Sequence, residues 1–138
     1  MKLWAIFVAT LVAAATANGG EPPESPFQQL THVQYFAVGG TGEGGDISAG
    51  EKNFHLLLAE PSALAEFERL YSVGNLQAKA YALVGIRQLN HARFNQMSHS
   101  LRNSKDLVNV QSGCKSFDVP FGELLKSIAS GRYSKTTE

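Results

Sequence analysis

The chain has 138 residues, with 12 basic and 12 acidic side chains that cancel formally, and a single cysteine. A neutral surface gives no electrostatic reason for DNA, RNA or anionic lipid as a partner. A lone Cys114 excludes an internal disulfide, so one hydrophobic core has to carry the stability of what is, by length, one domain.

The first residues carry the most specific signal. Lys2 precedes an uncharged apolar run over residues 3–15, and Ala15 and Ala17 place small side chains where a signal peptidase requires them. Residues 1–17 therefore read as a secretory signal peptide. The run is shorter than the roughly 20 residues that span a bilayer. The expectation is export to the periplasm or the exterior, cleavage near Ala17, and no membrane association afterwards. Residues 18–29, "NGGEPPESPFQQ", hold three prolines and no periodicity and read as a flexible lead-in to a domain over residues 30–133. Residues 30–38 alternate well enough to predict a strand.

Residues 39–51, "GGTGEGGDISAGE", put six glycines into thirteen positions. Gly40, Gly42 and Gly45 satisfy G-x-G-x-x-G. The following helix starts too late to aim its N–H groups at a phosphate, however, and Glu43 and Asp46 would repel one. The run reads as a bend chosen for backbone freedom, with Gly40, Gly42, Glu43 and Asp46 as candidate contacts to a ligand or partner. Glu43, Asp46 and Glu51 lack the alternating carboxylates of a calcium loop.

Ser48 and Glu51 have the spacing of a capping box and predict a helix with Phe54, Leu57 and Leu58 inward. Residues 62–72 predict a second helix, with Gly74 closing it in a left-handed turn and Asn75 capping the next. Residues 76–89 predict a helix with small and apolar residues on two opposite sides: Ala78, Ala82, Gly85 and Leu89 on one, Leu76, Ala80 and Leu83 on the other. Two such stripes mark a helix sandwiched at the centre of the domain. A fourth helix follows Asn90, with Phe94, Met97 and Leu101 inward. Residues 106–111 read as a short strand, and a last helix, capped by Asp118 ahead of Pro120, runs to Gly131 with Phe121, Leu124, Leu125 and Ile128 inward. Residues 134–138 read as a frayed tail.

The fold class is mainly α: about five helices in antiparallel pairs around a two-sided central helix, with two short β-strands. The pair 62–72 and 75–89, with "QAKAYALVGIRQL" in its second helix, resembles one unit of the HEAT-type helical repeats, although no second copy recurs at a fixed period. The mature chain also resembles a type of small exported bacterial protein of unknown role. The likeness lies in the glycine motif, the central Tyr-Ala-Leu-x-Gly-Ile helix and the late Gly-Cys, and it implies no activity.

Catalytic and metal signatures are missing. His32, His55, His91 and His99 show no H-x-x-x-H or H-E-x-x-H spacing. Ser112-Gly-Cys-Lys115 matches S-x-x-K without the companion motifs that give that pattern meaning. Cys114 reads first as a small buried residue; the alternatives are an intermolecular disulfide or a thiol nucleophile served by His91, His55 or His32. The leading expectation is a non-catalytic exported domain that binds an unknown protein or small molecule, with no cofactor, metal or nucleic acid. Its rivals are a small exported thiol enzyme and an inhibitor or immunity-type protein that buries loop 39–45 in a target.

Overall fold

The computed structural model describes residues 19–42 and 44–134. Residues 1–18, on which the expected signal peptide falls, lie outside the described residues, as do Glu43 and residues 135–138. Among the described residues there are six α-helices and one two-stranded antiparallel sheet, so the chain is mainly helical. None of these helices is long and apolar enough to cross a membrane.

α1 (Pro26–Thr31) lies where a lead-in and the start of a strand were expected. Its signal is local: Ser25 caps the Gln28 N–H, Gln28 returns the bond to the Ser25 N–H, and Pro26 occupies the first turn. Leu30 then closes the helix as a fully buried core residue. The expected strand over 30–38 reduces to a single parallel bridge between Phe36 and Val110. Its alternation reflects burial of Phe36 and Ala37 rather than a ladder.

α2 (Ala49–Leu58) begins at Ser48 as expected, with the hydroxyl accepting from the Glu51 N–H at 3.0 Å. Only that half of the capping box forms. The Glu51 carboxylate instead accepts from the Gly39 N–H, at 3.2 and 3.1 Å. α3 (Ala63–Val73) ends at Gly74, which is extended (φ −79°, ψ 164°) and not left-handed. The tight contact there is steric, because a Cβ on Gly74 would meet the Ala78 methyl at 2.4 Å.

α4 (Leu76–Leu89), capped by Asn75, is the centre of the molecule. Every residue from 80 to 86 is buried. α4 packs against α3 and α5 (His91–Ser98) and touches α1, α2, α6 and the sheet, so both of its sides are covered. Gly85 permits the closest approach: a Cβ there would lie 2.5 Å from ring carbons of Phe67. A short 3-10 turn, His99–Leu101, continues α5 and leads to the sheet.

β1 (Leu107–Ser112) pairs with β2 (Lys115–Pro120) from Leu107↔Pro120 to Ser112↔Lys115. Residues 106–111 were expected as a strand; β2 was not, and Asp118 is a strand residue rather than a helix cap. α6 (Phe121–Ala129) starts directly at the end of β2, with Phe121, Leu124, Leu125 and Ile128 facing the core as their spacing requires.

Candidate functional site

The glycine run forms a closed loop. Gly39, Gly40, Gly42 and Gly45 all have positive φ, from 65° to 99°. The Thr41 N–H donates to the Asp46 carbonyl at 2.7 Å, closing the loop across its neck. A Cβ on Gly40 would meet the Gly45 carbonyl oxygen at 2.8 Å, so glycine is required there on two counts. Asp46 is exposed.

This loop is seated on the tip of the hairpin. The Gly42 N–H donates to the Gly113 carbonyl at 2.9 Å, and Thr41 and Gly113 form a parallel bridge. Gly113 and Cys114 make the two-residue turn, with Gly113 at φ +56° as a type II′ turn needs. The structure thus brings Gly40, Gly42 and Asp46 into the neighbourhood of Cys114, a proximity that the spacing of seventy residues did not suggest. Cys114 is free and exposed, which corrects its expected place in the core: at a hairpin turn its side chain has nothing to pack under.

The histidines do not join it. Among the described residues no hydrogen bond reaches the Cys114 thiol. His32 lies 3.3 Å from Glu24, His55 3.6 Å from Glu51, and His91 3.4 Å from Asn95. No group of three His, Cys, Asp or Glu side chains is placed to hold a metal ion among the described residues.

The approach to the loop is held by Tyr81, noted above only within the central helix motif, and by Glu51, expected above to complete a capping box. Tyr81, in α4, donates its hydroxyl to the Ala37 carbonyl at 2.9 Å and accepts from the Ala37 N–H at 3.0 Å. Burial pushes its phenol up to about 12, opposed by the hydrogen bond with Ala37. Glu51, 5% exposed, fixes the next backbone donor but one, Gly39. The only sequence signal for Tyr81 is a lone phenol in a helix of small residues, since a buried tyrosine hydroxyl normally finds a partner.

Beneath the loop lies a cleft of about 360 Å³. Its floor is Phe36, Val110, Val119 and Leu124, and Gly39, Phe117 and Tyr133 stand around it. The register explains why: Val110 faces Phe117 and Val108 faces Val119 on one side of the hairpin. Phe117 sits nearer the hairpin tip than Val119 and stays 46% exposed. Tyr133 packs edge-on against Phe36 at 5.1 Å, and Arg87 reaches the Ser134 hydroxyl at 2.8 Å. The chain after α6 is therefore docked through Ser134. Burial raises the Tyr133 phenol as well.

The sheet has one unpaired edge. Phe36 bonds the Asn109 carbonyl and the Gln111 N–H, so Val110 turns its own backbone groups toward Phe117. Alternation along an antiparallel pair then points the N–H and C=O of Ser116 and Asp118 away from β1, and no backbone group among the described residues meets them. No family model matches the chain, and no curated protein or solved structure matches it.

Proposed function

We propose that this chain is an exported, non-catalytic binding domain that takes an extended segment of a partner protein along β2. The observation that carries the reading is the free edge at Ser116 and Asp118 beside a cleft into which Phe117 projects. A strand edge supplies main-chain hydrogen bonds to an added strand, and a pocket beside it accepts one of that strand's alternate side chains. Phe117 and the apolar floor of Phe36, Val110, Val119 and Leu124 favour an apolar side chain there. The glycine loop rests on the hairpin tip on the β1 side, away from that edge, and Gly40, Gly42 and Asp46 are separate candidate contacts there. Export rests on Lys2, the apolar run 3–15 and Ala15-Thr-Ala17. The helix pair α3–α4, with its likeness to a HEAT-type unit, serves as scaffold.

Selection of a displayed random-peptide library on the purified protein tests this. Ser116→Pro removes an outward N–H without touching the β1 ladder, and Phe117→Asp alters an exposed ring. Selected peptides should lose about tenfold or more in affinity for each variant, and should protect the Ser116 and Asp118 amides from hydrogen exchange. Binders indifferent to both variants, or small molecules that fill the cleft without protecting those amides, would overturn the strand-addition reading.

A further inference from the structure

α6 has a second cavity on its other side, about 390 Å³, between α5, the turn after it and α6. Phe94, Leu125 and Ala129 form its apolar wall. Its mouth continues into an adjoining depression that shares Arg102, Asn103, Gly122 and Lys126 and adds Lys105. The whole chain is formally neutral, yet here three cationic side chains meet one carboxylate, Glu123. That carboxylate pairs with Lys126 at 2.8 Å, but both are well exposed and the pair is weak. Arg102 and Lys105 form no ion pair among the described residues.

Two further features make this a shaped site rather than a charged surface. Gly122 lets the first turn of α6 lie against the backbone that carries Arg102, since a Cβ there would meet the Arg102 carbonyl oxygen at 2.7 Å. The Gly122 N–H also donates to the Ser104 carbonyl at 2.9 Å, which fixes that turn. Ser98 lines the cavity and is only 3% exposed, yet its hydroxyl forms no hydrogen bond among the described residues. No described side-chain polar atom is both sealed from solvent and unpartnered. The small exposed part of Ser98 is therefore its hydroxyl, opening on the cavity. A hydroxyl so enclosed is a hydrogen-bonding position kept for something that enters.

We infer that this cavity binds a small amphipathic organic anion, an alkyl chain of medium length with a carboxylate head. The chain lies against Phe94, Leu125 and Ala129, and the head sits among Arg102, Lys126, Asn103 and the Ser98 hydroxyl. An arginine at the mouth suits a planar carboxylate through paired donors, and a cavity of this size is in the range of small-molecule sites. The site is on the far side of α6 from the cleft beneath the glycine loop, so it stands or falls separately from peptide binding at β2.

Octanoate titrated into the purified protein, followed by amide chemical shifts, is the test. Saturable binding at about 1 mM or tighter is expected, with shifts concentrated at residues 94–103 and 122–129. Arg102→Glu combined with Lys126→Glu should weaken it at least about tenfold. Ala129→Phe, which fills the apolar end and leaves every charge in place, should abolish it, and Ser98→Ala should weaken it about threefold. Both charge-reversal positions and Ala129 are exposed, so these variants should fold, and their spectra check that. Equal binding of 1-octanol, equal binding of inorganic phosphate, binding unaffected by either exposed variant, or no saturation would each overturn the inference.

Discussion

Tyr81→Phe removes one oxygen from the centre of the molecule and changes little else in shape. That oxygen serves both backbone groups of Ala37. After the substitution the Ala37 carbonyl still has the Ser48 hydroxyl at 3.4 Å, but the Ala37 N–H has no other partner among the described residues. A sealed donor left without an acceptor costs about 1–3 kcal/mol. At about 4 °C per kcal/mol for a domain of this size, the Tm should fall by about 4–12 °C. A pH series adds a second readout. Burial, the largest cause, lifts the folded phenol from 10.0 to about 12. The unfolded chain therefore loses this proton first, and the unfolded state binds fewer protons above pH 10. The contribution of Tyr81 is complete below about pH 10 and is lost as pH rises toward about 12, at no more than about 1.4 kcal/mol per pH unit. In the Phe variant that part of the alkaline loss should vanish. Differential scanning calorimetry and near-ultraviolet phenolate absorbance measure both. A variant with the parental Tm, or a parental protein whose Tyr81 ionises near pH 10 while folded, would refute the account of the Ala37 clamp.

Gly40→Ala should destabilise more than Gly42→Ala. Both positions have positive φ, costing about 1–2 kcal/mol each, but only Gly40 adds a clash with the Gly45 carbonyl. Urea unfolding of the two variants ranks them, and equal midpoints would show that the loop relaxes freely. Leu83→Asp should leave no cooperative thermal transition, because Leu83 is fully buried in α4 and an unpaired carboxylate there costs several kcal/mol; a parental melt would place that side of α4 in solvent. Cys114 should react fully with a thiol reagent such as Ellman's in the folded protein, at the rate seen in denaturant within about tenfold. Protection until unfolding would restore the buried reading.

Local signals were legible where the interaction itself is local. Ser48 and Asn75, expected as caps, each bond the N–H three residues on, and Asn90, read only as the break between two helices, does the same. The two-sided pattern of residues 76–89 announced a central helix, because apolar residues all round a helix leave no face for water. The spacing of Phe121, Leu124, Leu125 and Ile128 likewise marked the inner face of α6. Ser25, Pro26 and Gln28 carried an equally local helix signal, hidden by Pro22 and Pro23 just before it.

What the tertiary structure alone decided is everything that joins distant residues. Glu51 has the spacing to cap its own helix, yet it holds Gly39 instead, because the folded chain offers a backbone donor that nothing else satisfies. β2 alternates Phe117 and Val119 with Ser116 and Asp118, but over only four residues directly ahead of Pro120, where the same stretch reads as a helix cap; it is a strand because β1 pairs with it. The glycine loop meets the Cys114 turn only because Phe36 runs parallel to β1, which no pattern of period two or 3.6 encodes. Periodicity reports which face of an element is covered; it does not report by what. The cleft, the free edge and the cavity under Arg102 all depend on that second fact.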